Sequence, residues 1–173
     1  VDIKELTQKT GAELLKSLDI IRLSRRSEFF DAVATLYASQ TDPAVQAKVV
    51  RTLGALGHAQ SMSKLLGALR SKVSPVRLAA VYAIMDYEAP DRIKRSKTAI
   101  WELDGLYKKD PEKEVRKMAG TAIVKLACLD LKNENNKNYF AMMLREKDPE
   151  ILTSMVERIS LDTELGRKKL LAL

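Results

Sequence analysis

The sequence is poor in the side chains from which metal centres, disulfides and nucleophile–base pairs are built. Its 173 residues include one cysteine, Cys128, and one histidine, His58. Cys128 cannot form a disulfide within the chain, and it lies on the apolar side of a helical pattern, which favours a buried, unreactive thiol. His58 follows Gly57 in a turn, where we expect a solvent-exposed side chain. We therefore predict no catalytic residues, no metal site and no cofactor, and hence a protein that is not an enzyme.

Long apolar runs, glycine-rich loops and aromatic residues are also scarce. No run approaches the roughly 18 apolar residues that a membrane-spanning helix needs, so no membrane span is predicted. No phosphate-binding loop or Gly-x-Ser-x-Gly motif occurs, and no small-molecule substrate is evident. The first residues show no signal-peptide pattern, which favours the cytoplasm. Because the chain begins at Val1 without a methionine, a removed export signal and a longer repeat array both stay open.

What the sequence does contain is a pattern that occurs four times. Pro43, Pro75, Pro111 and Pro149 each open a stretch of helical apolar spacing, at intervals of 32, 36 and 38 residues. Proline is well tolerated in the first turn of a helix, and a preceding Thr, Ser or Asp can cap it. Self-similarity at such periods is typical of stacked helical hairpins. We therefore predict an all-α, right-handed α-solenoid of about four to five antiparallel hairpins.

Apolar spacing predicts the positions of the individual helices and of the core. The predicted helices are 2–9, 12–23, one opening at Ser27, 43–56, 61–70, 75–88, 90–109, 111–129, 135–145, 149–160 and 163 to the end, with a polar loop over 132–138. We expect a single array over 1–173, with a degenerate capping repeat at 1–40 and repeats at 41–72, 73–109, 110–147 and 148–173. The predicted core of the first helices is Leu53, Val76, Ile84, Val115, Ile123 and Leu126.

The proline-initiated units share an Asp-Pro pair, a Val-Arg pair and an alanine-rich helix, followed by a second helix. The residues that carry this pattern are Asp42-Pro43 with Val45, Pro75 with Val76-Arg77 and Ala79-Ala80, Asp110-Pro111 with Val115-Arg116 and Ala119, and Asp148-Pro149 with Ile151. The pattern resembles HEAT repeats over about 41–161, most closely the short HEAT-like type also seen in phycobilin lyases. The resemblance implies first helices on a convex face, second helices on a concave face, and binding more often than catalysis. Gln46 and Leu152 stand where the family has arginine, which implies looser junctions there.

The formal net charge is +7, and the positive excess lies in the middle of the chain. Basic residues outnumber acidic ones by six to three over 41–89 and by eleven to seven over 90–132, whereas the two ends are balanced. On the predicted helix 90–109, Lys94, Lys97, Trp101 and Lys108 fall within about 60° of each other, outside the apolar face. Arg92 and Arg95 flank them.

These six residues are the candidate partner-binding site. Tryptophan is enriched at interface hot spots, and lysines steer acidic partners. The alternative for Trp101 is packing against a neighbouring second helix. The leading prediction is a non-enzymatic scaffold that binds a protein or peptide, with an acidic surface, on its concave face. The alternative is nucleic-acid binding through the phosphate backbone, as in HEAT-like DNA glycosylases, and a phycobilin-lyase-type enzyme ranks third.

Overall fold

The structure, a computed structural model, describes residues 2–89, 91–130 and 134–162, and its regular secondary structure within these ranges is helical. The helices are α1 (Ile3–Leu6), α2 (Gly11–Ser24), α3 (Phe30–Ser39), α4 (Pro43–Ala55), α5 (Ser61–Ala68), α6 (Ser74–Met85), α7 (Arg92–Lys109), α8 (Lys113–Ala127), α9 (Glu134–Met143) and α10 (Pro149–Asp162). Single 3₁₀ turns occupy Ser27–Phe29 and Cys128–Asp130. No strand occurs in the described ranges, and the all-α prediction is confirmed. The helix predicted from 163 onwards lies outside the described residues.

Several helices begin one or two residues away from the predicted start, and two of these differences have a local explanation. The helix predicted from 111 begins at Lys113, because the carboxylate of Asp110 accepts the backbone N–H of Glu112 and holds the intervening residues in a turn. The helix predicted over 135–145 is present as α9 and begins at Glu134, so the polar loop predicted over 132–138 is wrong from that residue onwards. Asparagine has a low helix propensity, but packing of the apolar side of α9 around Met143 outweighs it.

The chain forms two compact units, Val1–Arg92 and Ile93–Leu173. The division falls at the start of α7, inside the repeat predicted over 73–109. The sequence shows no break in composition at that point. The repeat boundaries stay predictions, whereas the six residues predicted as core are all buried.

In the first unit, α4 is central and contacts α2, α3, α5 and α6. Leu53 of α4 and Ile84 of α6 are fully buried. Between these helices Gly54 lies against Ala83, and a Cβ atom added to the glycine would be 2.7 Å from the Cβ of Ala83. The absence of a side chain at Gly54 therefore allows α4 and α6 to approach closely.

In the second unit, α8 packs against α9 and α10 around a core of Val124, Met143, Ile151 and Met155. Ion pairs join the start of α8 to the start of α10. The Nζ atom of Lys113 lies 3.0 Å from a carboxylate oxygen of Asp148 and 2.9 Å from one of Glu150. The hydrogen bond from Lys113 lowers the pKa of the Asp148 carboxyl below its ordinary value.

The turns before three of the proline-initiated helices are held in the same way. A side chain in the first turns of the helix donates a hydrogen bond to the backbone carbonyl six residues earlier. The three bonds are Gln46 Nε2 to Gln40 (2.6 Å), Arg77 Nη1 to Ser71 (3.0 Å) and Arg116 Nη1 to Asp110 (2.7 Å). Gln46 thus makes the same bond as the two arginines, and the looser junction implied there is not seen.

The turn before α10 is held by a carboxylate instead. Leu152, at the position of the arginine, has no side-chain donor and packs against the apolar core of the second unit. The carboxylate of Glu146 accepts the backbone N–H groups of Lys147 (2.8 Å) and Asp148 (2.9 Å). The same carboxylate also accepts a hydrogen bond from the hydroxyl of Tyr107 in α7. The pKa of Tyr107 is raised well above its ordinary value. The largest cause is burial, and the second is this hydrogen bond to Glu146.

Candidate functional site

α7 has one buried and one exposed side. Ser96, Ala99, Ile100 and Leu103 are buried, and their spacing of three, one and three residues is that of one helix face. The hydroxyl of Ser96 donates to the backbone carbonyl of Ile93 at 2.6 Å, so this buried polar group is satisfied. Ile93 lies at the helical spacing of the same face but is 52% exposed, because it lies in the first turn, before the buried stretch begins.

The opposite side carries the predicted site residues Lys94, Lys97, Trp101 and Lys108, which we call the outer face of α7. All four are exposed, and Trp101 has 71% of its surface accessible. The alternative for Trp101, packing within this chain, does not match that exposure. An exposed tryptophan is a feature that a binding surface requires, but whether the outer face binds a partner stays a prediction.

The lysines of the outer face differ in their electrostatic partners. Lys108 is paired with Asp104, one turn earlier in α7, with 2.7 Å between its Nζ atom and the carboxylate. No ion pair among the described residues involves Lys94 or Lys97. Over Arg92–Lys109 there are six basic and two acidic residues. The positive charge that a partner would meet is therefore concentrated at Lys94 and Lys97.

The two arginines predicted to flank the site are less accessible. Arg92 and Arg95 are half-buried. The Nη2 atom of Arg92 donates to the backbone carbonyl of Met85, at the end of α6, at 3.1 Å. This bond gives Arg92 a role in the local structure, so we assign the candidate surface to the outer face of α7 without the two arginines.

A hollow of 410 Å³ lies beside the outer face, between α7 and α9. Its walls are formed by Asp104, Lys108, Asn138, Tyr139 and Met142. The pKa of the Tyr139 hydroxyl is raised above its ordinary value, mainly by burial and secondly by the negative charge of Asp104. The sequence predicted only Lys108 of this set. The four-residue spacing of Asp104 and Lys108 was the available signal for their pairing.

His58, the one histidine, has a structural environment. Its ring stacks on that of Phe30, with 4.0 Å between the centroids and 18° between the planes. Its Nδ1 atom accepts the backbone N–H of Gln60 at 3.2 Å. The side chain is half-buried, so the prediction of a solvent-exposed turn residue is wrong. Phe30 is 28 residues away in sequence, and only the folded chain brings the two rings together.

The described part of the chain lacks two further kinds of feature. Within residues 2–89, 91–130 and 134–162, no group of three or more His, Cys, Asp or Glu side chains is arranged to hold a metal ion. None of the helices in those ranges is long and apolar enough to cross a bilayer.

The family model for HEAT repeats matches residues 30–123, more than half of the chain. The chain belongs to the HEAT repeat family. A crystal structure of an engineered protein resembles this HEAT chain with a TM-score of 0.57 and 17% sequence identity, over 92% of this chain and 78% of that one. At this identity the likeness concerns the fold alone. No curated protein matches the sequence.

Membership of the HEAT family bears on the outer face of α7. HEAT repeats generally serve as scaffolds for protein interactions. The matched range begins at the start of α3 and ends within α8, so it contains every one of the six predicted site residues. The candidate surface therefore belongs to the HEAT-matched part of the chain and not to an added segment.

Proposed function

We propose that this HEAT chain is a non-enzymatic scaffold that binds an acidic protein segment through the outer face of α7. In the repeat pattern predicted from sequence, α7 is the second helix of a hairpin, and the family resemblance implies that second helices line the concave surface. The proposal therefore assigns the partner to that predicted surface.

The exposure of Trp101 is the observation that carries the proposal. A tryptophan contributes 150–250 Å² of mostly apolar surface when it is covered, and Trp101 has 71% of its surface accessible. Covering about 100 Å² of it would contribute on the order of 2–3 kcal/mol. Leaving this apolar surface in water does not stabilise the fold, whereas covering it with a partner would stabilise the complex.

Lys94 and Lys97 supply the preference for an acidic partner. They precede Trp101 by seven and four residues, so they lie two turns and one turn before it on the same face. Exposed charges at the edge of an interface act mainly on the rate of association, because they steer the approach. Trp101 should instead govern the rate of dissociation, because its burial is the short-range contribution.

The test is a selection of peptides from a random display library against the full chain, followed by kinetics with the best synthetic peptide. We expect the recovered peptides to be acidic. Trp101→Ala should speed dissociation by about thirtyfold, the equivalent of roughly 2 kcal/mol. The double change Lys94→Glu with Lys97→Glu should slow association instead.

Matched controls separate the site from general effects. Leu23→Ala truncates a residue that is 73% exposed on α2, and Lys64→Glu with Lys72→Glu makes the same charge change in the first unit. Both controls should bind as the unchanged chain does. Equal kinetics for the Trp101 variant and the Leu23 control would contradict the proposal. So would a failure to recover acidic peptides combined with steeply salt-dependent binding of a DNA duplex, which is the behaviour expected when several phosphates are neutralised.

A further inference from the structure

Gly105 is an exposed glycine in the interior of an 18-residue helix, one turn after Trp101. Glycine in a helix interior is less stable than alanine, because it loses more backbone freedom on folding. A glycine at such a position therefore calls for a compensating reason. Close packing is the usual one.

Packing explains two other helical glycines but not this one. A Cβ atom on Gly54 would lie 2.7 Å from the Cβ of Ala83, and one on Gly120 would lie 3.0 Å from the ring of Tyr107. A Cβ atom on Gly105 would meet no atom of the described residues within 4 Å. Within residues 2–89, 91–130 and 134–162, therefore, no neighbouring group needs the space that the missing side chain leaves.

The open space at Gly105 continues the outer face of α7. Trp101 lies one turn before it and Lys108 about one turn after it, on the same side of the helix. The outer face from Lys94 to Lys108 is about 21 Å long at 1.5 Å per residue. Bare backbone in its second half would let another backbone approach more closely than it could over any side chain.

The shape and charge of this face favour a helical partner. Helix α7 has no unpaired strand edge to which an extended peptide could add by backbone hydrogen bonds. An amphipathic helix can instead place side chains at i, i+3 and i+4 around Trp101 while its backbone passes over Gly105. The six basic and two acidic residues of α7 are complementary to acidic side chains on such a helix.

We propose that the outer face of α7 docks an acidic amphipathic α-helix of a partner protein, which crosses α7 at Gly105. Its apolar side chains cover Trp101, and its carboxylates meet Lys94 and Lys97. This inference rests on the function proposed above and adds to it the conformation of the partner and the point of crossing.

The probe is a peptide selected from a display library with a helix-forming frame of Glu, Ala and Leu and one randomised face. The best sequence is synthesised together with a scrambled peptide of identical composition that lacks helical periodicity. We expect the helical peptide to bind the full chain at least about tenfold more tightly than the scrambled one. Equal binding of the two peptides, or no enrichment of any sequence, would overturn the inference.

The decisive variant is Gly105→Leu, which fills the open space with a side chain and favours the helix. Gly67→Leu is its matched control, because Gly67 is also exposed in a helix and open to 4 Å. Gly67 is the next-to-last residue of α5, where a glycine is common without a packing reason, and its neighbours Ser63 and Lys64 offer no apolar anchor. We expect Gly105→Leu to weaken binding of the helical peptide at least about tenfold and Gly67→Leu to leave it unchanged, with both chains equally or more resistant to unfolding.

The outcomes separate this inference from the proposed function. If Trp101→Ala weakens binding but Gly105→Leu does not, the outer face binds its partner in some other conformation and the crossing at Gly105 is wrong. If neither variant weakens binding, both proposals fail. Binding of anionic phosphatidylserine vesicles that Trp101→Ala abolishes, with no peptide recovered, would overturn both in favour of a membrane surface.

Discussion

Replacing Gly54 by alanine should destabilise the first unit, although alanine is the better helix former. The added Cβ atom would lie 2.7 Å from both the Cβ and the carbonyl oxygen of Ala83, and 2.9 Å from its Cα. Carbon atoms in contact prefer 3.5–4.0 Å. None of these atoms can rotate away, because they belong to the backbone of α6 or are bonded directly to it. The two helices would therefore have to separate by about 1 Å.

The size of the effect follows from two opposing contributions. Overpacking of a buried contact costs about 1–3 kcal/mol, and rigid backbone neighbours place Gly54→Ala in the upper part of this range. The change from glycine to alanine in a helix returns about 1 kcal/mol. We expect a net loss of about 1–2 kcal/mol in the free energy of unfolding.

Gly67→Ala is the control in the same unit. A Cβ atom at Gly67 meets nothing within 4 Å, so this chemically identical change should stabilise by about 0.5–1 kcal/mol. Urea unfolding followed by the far-ultraviolet circular dichroism signal of the helices measures the free energy of unfolding of both variants through the same transition. If Gly54→Ala were as stable as Gly67→Ala, the close approach of α4 and α6 at Ala83 would be incorrect.

Three further expectations concern stability. Ile123→Ala should lower the free energy of unfolding by about 2–5 kcal/mol in urea titrations, because Ile123 is fully buried; a loss below about 0.5 kcal/mol would contradict its place in the core. Gln46→Ala should cost about 1 kcal/mol and Gln46→Arg should cost less, since arginine makes the equivalent bond in two other repeats. The lowered pKa of Asp148 means that its ion pair with Lys113 stabilises the fold above about pH 4 and loses this effect as the pH falls through the lowered value. Lys113→Gln should therefore reduce the acid dependence of the melting temperature, and an unchanged dependence would contradict the pairing.

The fold was predictable where a local rule determines it. Leu53 and Ile84 recur at helical spacing, and both are fully buried. Asp42 precedes Pro43, and its carboxylate accepts the backbone N–H of Ala44 at 2.8 Å, as the capping rule predicts. The division near residue 92 was not predictable, because it depends on contacts between helices and has no signature in composition.

The candidate site was also predictable only where a local rule determines it. Helical geometry alone was enough to put Trp101 on the side of α7 opposite Leu103, and the structure has the first exposed and the second buried. Helical geometry could not show that Arg92 donates a hydrogen bond to the carbonyl of Met85, because that contact depends on the path of the chain between residues 85 and 92. The rule describes positions around one helix, whereas accessibility depends on what the neighbouring segments do.

The turns before the proline-initiated helices have a consequence for how this architecture diverges. A guanidinium group, an amide and a carboxylate each hold such a turn, at Arg77, Gln46 and Glu146. What is required at these junctions is hydrogen-bonding capacity of the right reach, which several side chains provide, and not one residue type. Sequences under this requirement can drift apart while the path of the backbone is retained.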